Sequence, residues 1–395
     1  MTNRTKSTGG TRFLHTSDWQ LGMSRHFLAP EAQARFTHDR IDAIRRIGEL
    51  ARDHEAQFVV VAGDVFESNQ VDRRTVVRAL EAMDSVPVPV FLLPGNHDPL
   101  DAATVYRSAT FSAKKPDNVV VLEDSQPIEP AGAQGVEVVG APWDSKRPFT
   151  DLAGSLFAAL EPSPPGVTRI AVAHGVVDTL APDPDAPALI RVADAEKALG
   201  DGRIHYLALG DRHSATEVGG TGGIWYSGTP VATDFGEQAP GRVLLVDVAP
   251  GSPPQVTEIP LYADDAWRFV DESYPLNGPE DVEALARSLD AHTHKESVIL
   301  RLSLVGELSI AAHARLNTIL DDYRDSCASI RRWERHTNLV ILPDSLDAES
   351  LELSGYAKKA WDELAEGAKR AGEADRESGD ALALLYRLAS GGSAS

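Results

Sequence analysis

The sequence predicts an α/β protein, in which buried strands alternate with helices. Seven short runs between residues 12 and 248 are almost continuously apolar and rich in Val, Ile and Leu. Strands that are buried on both faces have this composition. The segments between the runs carry apolar residues at helical spacing, and such alternation is typical of α/β folds. In chain order, the runs are RFLHTSD, FVVVAGD, VFLLPGNHD, VEVVGAPW, RIAVAHG, YLALGD and VLLVDV.

Two helices are predicted between the first three runs. The first covers residues 31–54 and the second covers residues 71–85. The glycine-rich segment 219–223 is interpreted as a hairpin loop before a strand rather than as a phosphate-binding loop. The apolar stripe of the first helix consists of Phe36, Ile41, Ile44, Ile47 and Leu50.

The chain is predicted to divide into four parts. Residues 1–11 are polar and expected to be disordered, and residues 12–261 form the main domain. Residues 262–345 have a smaller α+β pattern, with the strand SVILRLSLVG, the helix HARLNTILDDYRDS and the strand NLVILPD. Residues 346–395 are predicted as two polar helices. Their apolar stripes are Leu351, Leu353, Trp361 and Leu364 in the first helix and Leu382, Leu385 and Leu388 in the second.

Composition limits the class of protein. The chain has 395 residues and a single cysteine, Cys327, so it has no internal disulfide. The polar start and the lack of an apolar run of ~20 residues favour a cytoplasmic protein without a membrane segment. The formal net charge is −21. Because phosphate contacts favour basic surfaces, we attribute most of this acidity to solubility.

Residues of metal-binding type follow five of the apolar runs. Ligands of open α/β sheets bind outside the carboxyl ends of the strands, so five such strands predict one convergent cluster. Two divalent ions ~3.5–4 Å apart can neutralise an anionic phosphodiester, generate the nucleophile and stabilise the leaving oxygen. A carboxylate shared by both ions would hold them at that distance. In the order of the runs, the residues are Asp18, Asp64, Asn96 with His97, His174, and Asp211 with His213.

The motifs resemble those of a known family. TSDWQLG, GDVFE, GNHD, AHG and GDRH, in this order and spacing, resemble the calcineurin-like metallophosphoesterases. The segment IWYSGTPVATDFGE is similar to the segment after the last metal motif in SbcD and Mre-type DNA-repair nucleases. The resemblance covers residues 12–248 and, more loosely, residues 262–345. It implies a four-layer α/β/β/α sandwich and a small α+β capping domain that helps to place DNA.

The resemblance also implies two metal sites that share one aspartate. Asp18, Asp64 and His213 would hold the first ion. Asp64, as the bridge, would hold the second ion together with Asn96 and His174.

Two positions depart from the family pattern. The first motif is normally Asp-x-His and the last is normally Gly-His-x-His, but here Gln20 and Asp211 each replace a histidine. The remaining set is rich in oxygen ligands, which favours Mn²⁺, with Mg²⁺ as the other choice. We expect the first ion, beside Gln20, to be held loosely.

Two further residues have implied catalytic roles. His97 would face the scissile phosphate and stabilise or protonate the leaving oxygen. Asp98 is expected to orient the His97 ring through a hydrogen bond.

The reaction implied by the resemblance is hydrolysis of DNA phosphodiesters, by exonuclease or endonuclease cleavage, in a complex like SbcC-SbcD. Two alternatives stay open. One is a phosphodiesterase for small cyclic nucleotides. The other is a DNA-end-binding scaffold with vestigial hydrolysis, because the substitutions at Gln20 and Asp211 can also mark a decayed site.

Partner contacts are also expected from the resemblance. It implies a homodimer and an SMC-like ATPase of the SbcC type. The apolar stripe of the first helix is a candidate dimer surface, and the stripes of the C-terminal helices are candidate ATPase contacts. Packing within the chain explains all of these stripes equally well. Basic residues that could contact DNA phosphates, or lie on solvated faces, are Arg25, Arg73, Arg74 and Arg107, with Lys146 and Arg147 of similar standing.

Overall fold

The structure is a computed structural model that forms two compact units. It describes residues 10–183, 186, 188–249, 251–342, 353–368, 378, 381–382 and 384–385. The first unit comprises Met1–His26 and Gln33–Ala266, and the second comprises Phe27–Ala32 and Trp267–Ser395. Residues 1–9, most of the segment predicted to be disordered, lie outside the described residues.

The first unit contains two sheets and five helices. The helices are α1 (Pro30–Asp53), α2 (Arg73–Asp84), α3 (Ala109–Lys114), α4 (Leu152–Ala159) and α5 (Val192–Gly200). The strands are β1 (Thr11–Thr16), β2 (Val59–Val61), β3 (Val90–Leu92), β4 (Val119–Val121), β5 (Val136–Gly140), β6 (Thr168–His174), β7 (Tyr206–Gly210), β8 (Thr216–Glu217), β9 (Ile224–Tyr226), β10 (Arg242–Val248) and β11 (Gln255–Pro260).

Both sheets are mainly parallel. The six-stranded sheet has the order β11-β10-β1-β2-β3-β4, and β1 to β4 pair in parallel. The five-stranded sheet has the order β5-β6-β7-β9-β8, and only the β8–β9 pair is antiparallel. This pair encloses residues 219–223, so the hairpin predicted there is confirmed. All seven apolar runs contain strands, as predicted.

The sheets pack face to face between layers of helices. Phe13 and Phe91 from one sheet share a buried cluster with Ile170 and Tyr206 from the other. The opposite face of the five-stranded sheet packs on α4 and α5 through residues such as Phe157. The outward residues of β1 to β3 are also buried, as are the apolar stripes of α1 and α2. The four-layer sandwich expected from the resemblance is confirmed.

The candidate dimer surface on α1 is not available. Phe36, Ile41 and Ile44 are 0%, 5% and 1% exposed, so this stripe packs within the chain itself. An amphipathic helix buries its apolar face on its own sheet whenever that sheet needs covering.

The second unit is a smaller α+β unit built on one long strand. This strand, β13, pairs in parallel with each of the other three. The predicted strand, helix and strand correspond to β13, α7 and β15. The elements are β12 (Arg268–Leu276), α6 (Pro279–Asp290), β13 (Val298–Ser309), α7 (Ile310–Arg324), β14 (Ser329–Arg332), β15 (Asn338–Leu342) and α8 (Gly355–Ala368).

The first C-terminal stripe packs on its own unit. Trp361 of α8 is 3% exposed and lies in a cluster with Ile310, Ile341 and Leu382. This stripe is therefore covered and does not offer the predicted ATPase contact in this arrangement. Leu351 and Leu388 of the predicted stripes lie outside the described residues. Among the described residues, no helix combines the length and hydropathy that a membrane span requires.

Candidate metal centre

Loops at the carboxyl ends of five strands bring the predicted ligands together. Three loops follow β1, β2 and β3 of one sheet, and two follow β6 and β7 of the other. Ligand atoms of Asp18, Asp64 and His174 lie within 4.8 Å of one another. Nε2 of His213 is 3.8 Å from Oδ1 of Asp18, and Oδ1 of Asp211 is 3.8 Å from Nε2 of His174. The five motifs thus meet in one buried cluster.

The backbone at several ligands has an uncommon conformation. Asp18, Gln20, Asp64 and Asp211 have φ values of 52°, 43°, 54° and 98°. They are four of the seven non-glycine residues with positive φ in the described part of the chain. Each such residue costs on the order of 1–3 kcal/mol and persists where the surrounding structure enforces it. The concentration of this strain in the ligand loops supports a functional role for them.

Two glycines allow the sheets to approach each other at the centre. A Cβ atom at Gly210 would overlap the carbonyl oxygen of Ala62. Gly63 has φ +94°, and a Cβ atom there would overlap the ring of His174. Side chains at these positions would separate the two groups of ligands.

His174 is anchored to the main chain of the opposite sheet. Its Nδ1 lies 2.8 Å from the carbonyl oxygen of Ala62, and because a carbonyl only accepts, Nδ1 carries the proton. Nε2 is therefore directed at Oδ1 of Asn96, 2.7 Å away, and at Oδ1 of Asp64, 3.4 Å away. Trp143 Nε1 donates to the carbonyl oxygen of His174. This ring offers Nε2 to a cation in a fixed orientation.

His213 is anchored by a side chain that the sequence analysis missed. Its Nδ1 lies 2.8 Å from Oε1 of Glu237, which also accepts from the hydroxyl of Thr233. The carboxylate takes the Nδ1 proton and leaves Nε2 facing the cluster. Such a partner orients a metal-binding imidazole and raises its basicity. Glu237 is the last residue of the segment IWYSGTPVATDFGE, so a signal was present, but the motif alone gave that residue no role.

Gln20 has the properties of a weak ligand. It is 3% exposed, and its Oε1 has no hydrogen-bond partner among the described residues. Its Nε2 lies 3.3 Å from Nε2 of His213. A buried oxygen without a partner costs roughly 1–3 kcal/mol, and coordination of a cation would satisfy it.

The electrostatics of the centre favour a cation. Burial raises the pKa of Asp18. Burial alone would lower the pKa of His174, but Asp64, Asp18 and Asp211 outweigh it and raise the pKa well above its ordinary value. The buried carboxylates therefore need positive charge, which protons supply when no metal is bound. Together with the unpaired oxygen of Gln20, this donor set fits divalent cations.

His97 lies on the accessible side of the cluster. Its side chain is 38% exposed, and Nε2 is 3.9 Å from Oδ2 of Asp64. Nδ1 donates to the carbonyl oxygen of Glu67 at 3.0 Å, and the main-chain N–H of His97 donates to Oδ1 of Asp64 at 3.0 Å. The ring thus presents Nε2 where a phosphate on the cluster would lie.

The hydrogen bond predicted between Asp98 and the His97 ring is not formed. Asp98 is fully buried, and its carboxylate accepts from the N–H groups of Phe66 and Gly95 and from the hydroxyl of Tyr106 at 2.6 Å. Burial raises the pKa of Asp98 to about 6. Asp98 therefore stabilises the loop after β3, and a main-chain carbonyl orients the His97 ring instead.

The four arginines predicted to contact DNA differ in their surroundings. Arg73 and Arg74 begin α2 and are exposed. Arg107 is 3.2 Å from a carboxylate oxygen of Glu123. Arg25 donates to a main-chain carbonyl of the segment after β9 and is partly buried. Arg73 and Arg74 therefore remain predicted DNA contacts, whereas Arg25 serves the packing of the site.

Comparison with known proteins agrees with this geometry. The calcineurin-like phosphoesterase family model matches residues 11–237. The SbcD component of the SbcCD nuclease of Escherichia coli K12 is 27% identical over 259 residues, which cover 57% of this chain and 62% of that protein. The chain thus spans about three-fifths of the length of this relative. DNA double-strand break repair protein Mre11 of Archaeoglobus fulgidus is 33% identical over 90 residues, covering 22% of this chain and 19% of that protein. A dimetal phosphatase from Danio rerio has a TM-score of 0.38 at 13% identity, covering 62% of this chain and 98% of that one.

Proposed function

This chain belongs to the calcineurin-like phosphoesterases, and from this premise we propose that it is a metal-dependent nuclease acting on DNA. The observation that carries the proposal is the partly exposed His97 ring beside Asp64, at the edge of a buried ligand cluster. A phosphodiester bound there would have cations on one side and a proton donor at its leaving oxygen. The similarity to the SbcD component of SbcCD and to Mre11 supports DNA as the substrate.

We assign two divalent cations to the centre, with Mn²⁺ preferred and Mg²⁺ as the alternative. Carboxylate and amide oxygens outnumber imidazoles in the donor set, and such sites suit hard cations. When bound, the cations would neutralise the phosphodiester and supply the nucleophile. One ion would be held by Asp18, Gln20 and His213, the other by Asn96, His174 and Asp211, and both by Asp64.

His97 would act as the proton donor. Its Nδ1 proton is fixed by the carbonyl of Glu67, so a second proton must reside on Nε2 for the ring to act as an acid. That proton passes to the leaving sugar oxygen and leaves a neutral ring. Proton transfer of this kind contributes roughly 10²- to 10⁴-fold.

A substrate panel tests the proposal. The purified protein is incubated with Mn²⁺ and labelled duplex DNA, single-stranded DNA and bis-p-nitrophenyl phosphate. We expect cleavage of DNA. Cleavage of the small ester alone would favour a small-molecule phosphodiesterase, and DNA binding without any cleavage would favour a scaffold.

The variant His97→Ala tests the assigned proton donor. It keeps the main-chain N–H that binds Asp64, so both Mn²⁺ ions should still bind in calorimetry, while turnover falls roughly 10²-fold or more. His38→Ala, at an exposed position of α1, is the matched control. Unchanged turnover in His97→Ala would remove this residue from the mechanism.

The proposal includes partners and location. The similarity to the SbcD component of SbcCD supports an SMC-like ATPase of the SbcC type as a partner, a homodimer and action in the cytoplasm. Because the α1 stripe and Trp361 are buried, these contacts would use other surfaces. Sedimentation analysis with and without DNA would measure the oligomeric state.

A further inference from the structure

Exposed apolar side chains gather on two loops beside the metal centre. Six large apolar residues are exposed in the described part of the chain, and three of them are Phe149, Val176 and Leu180. Phe149, at 88%, is the most exposed of the six. It follows β5, while Val176 and Leu180 follow β6, whose last residue is the ligand His174. Clustering of this kind marks interaction surfaces.

Hydrogen bonds join the two loops into one rim. The N–H of Arg191 donates to Oδ2 of Asp151 at 3.2 Å. The N–H of Asp178 donates to the carbonyl oxygen of Ile190 at 3.0 Å. The segment that follows β6 is therefore fixed to the end of the loop that follows β5.

The rim adjoins the metal centre directly. Pro148, which precedes Phe149, lines a small cavity together with Trp143 and His174. The N–H of Trp143 donates to the carbonyl oxygen of Pro94, in the loop that carries the GNHD motif. Phe149 therefore stands on the wall of the site, one residue from a side chain that shares a cavity with a ligand.

The charges of the loop are unlike those of the chain as a whole. Lys146 and Arg147 are exposed, and neither has an ion pair among the described residues. Of the two carboxylates in this loop, Asp151 is engaged in capping α4, which leaves Asp144 as the exposed one. In a chain of net charge −21, the accessible part of this loop is positive.

We propose that residues 144–151 form a nucleotide-binding rim for an unpaired DNA strand. Phe149 stacks on a base next to the scissile phosphate, and Lys146 and Arg147 contact the flanking phosphates. Positive grooves with exposed aromatic rings bind single strands in this way, whereas the base faces of a duplex are covered by stacking. The inference rests on the proposed nuclease function and specifies its substrate as a single strand or a frayed end.

Binding of a single strand by Phe149→Ala tests the rim. Fluorescence anisotropy with a labelled single-stranded oligonucleotide in EDTA measures affinity without cleavage. We expect about tenfold weaker binding, within the usual range for loss of one aromatic–base stack. Phe149→Trp should restore the affinity. Tyr356→Ala is the matched control, because that aromatic residue is 87% exposed on α8.

Two further measurements separate stacking from other causes. Hydrolysis of bis-p-nitrophenyl phosphate should be unchanged in Phe149→Ala, since this ester has no base. An oligonucleotide with abasic positions should bind wild type and variant equally. Equal binding of the normal oligonucleotide by both proteins would overturn the rim while leaving the nuclease proposal intact. Failure of the wild type to cleave any DNA would instead overturn the nuclease proposal.

Discussion

The two halves of the metal centre differ in how their histidines are held. The ring of His174 is anchored by a main-chain carbonyl and its side chain is 0% exposed. The ring of His213 is anchored by the carboxylate of Glu237 and its side chain is 25% exposed. We call these the His174 half, with Asn96 and Asp211, and the His213 half, with Asp18 and Gln20; both share Asp64.

This difference shows that one half is built into the fold and the other depends on a second side chain. A main-chain anchor persists through side-chain substitution, whereas Glu237 can be altered. The charges differ in the same direction, because Asp211 adds an anion to the His174 half and Gln20 leaves the other half with a neutral ligand. We therefore expect the His174 half to bind Mn²⁺ more tightly.

Substitution of the shared aspartate should remove the distinction between the halves. Asp64→Ala takes a carboxylate from both, so turnover should fall on the order of 10³-fold. Because ligand binding stabilises the folded state, the rise in melting temperature on adding Mn²⁺ should also vanish. Exposed Asp117→Ala is the control. A melting temperature that still rises with Mn²⁺ would contradict the assignment of Asp64 as the bridge.

Glu237→Gln should affect one half alone. It removes the charge that supports His213, and loss of such a partner typically weakens metal binding roughly 10- to 100-fold. Calorimetric titration with Mn²⁺ should show the weaker event diminished and the tighter event unchanged. Glu217→Gln, at an exposed position of β8, serves as the matched control. Equal weakening of both events would show that the halves are not independent.

Gln20→His should narrow the gap between the halves. An imidazole is a stronger donor than an amide, so the weaker Mn²⁺ event should tighten by about tenfold. The same titration measures this change. If the tighter event shifts instead, Gln20 belongs to the other half.

His15 provides a smaller test, as a buried histidine outside the ligand set. Burial lowers the pKa of His15 to about 3, and its ring binds Tyr206 and the carbonyl of Leu209. Between pH 6.5 and 3, the unfolded chain binds a proton at this residue that the folded chain does not, so stability falls with pH. From pH 6.5 to 5.5, this loss should be about 1 kcal/mol. Urea unfolding in EDTA should show the loss in wild type and not in His15→Gln.

The sequence by itself determined the elements and the ligand types. A strand buried on both faces is apolar throughout, so the seven runs were recognisable, as was the hairpin at residues 219–223. Short elements such as β4, α3 and β14 left no such pattern and were missed. The placement of Asp18, Asn96 and His174 after strands identified the edge of the sheets where they meet.

Only the tertiary structure decided which groups hold those ligands in place. The carbonyl of Ala62, the carboxylate of Glu237 and the carbonyl of Glu67 each orient a histidine, and none lies next to its partner in sequence. It also showed Asp98 engaged by Tyr106 rather than by His97. Strand and helix preferences depend on nearby residues and are written in the sequence. Contacts between distant loops follow from how two sheets pack, and a single sequence does not record that packing.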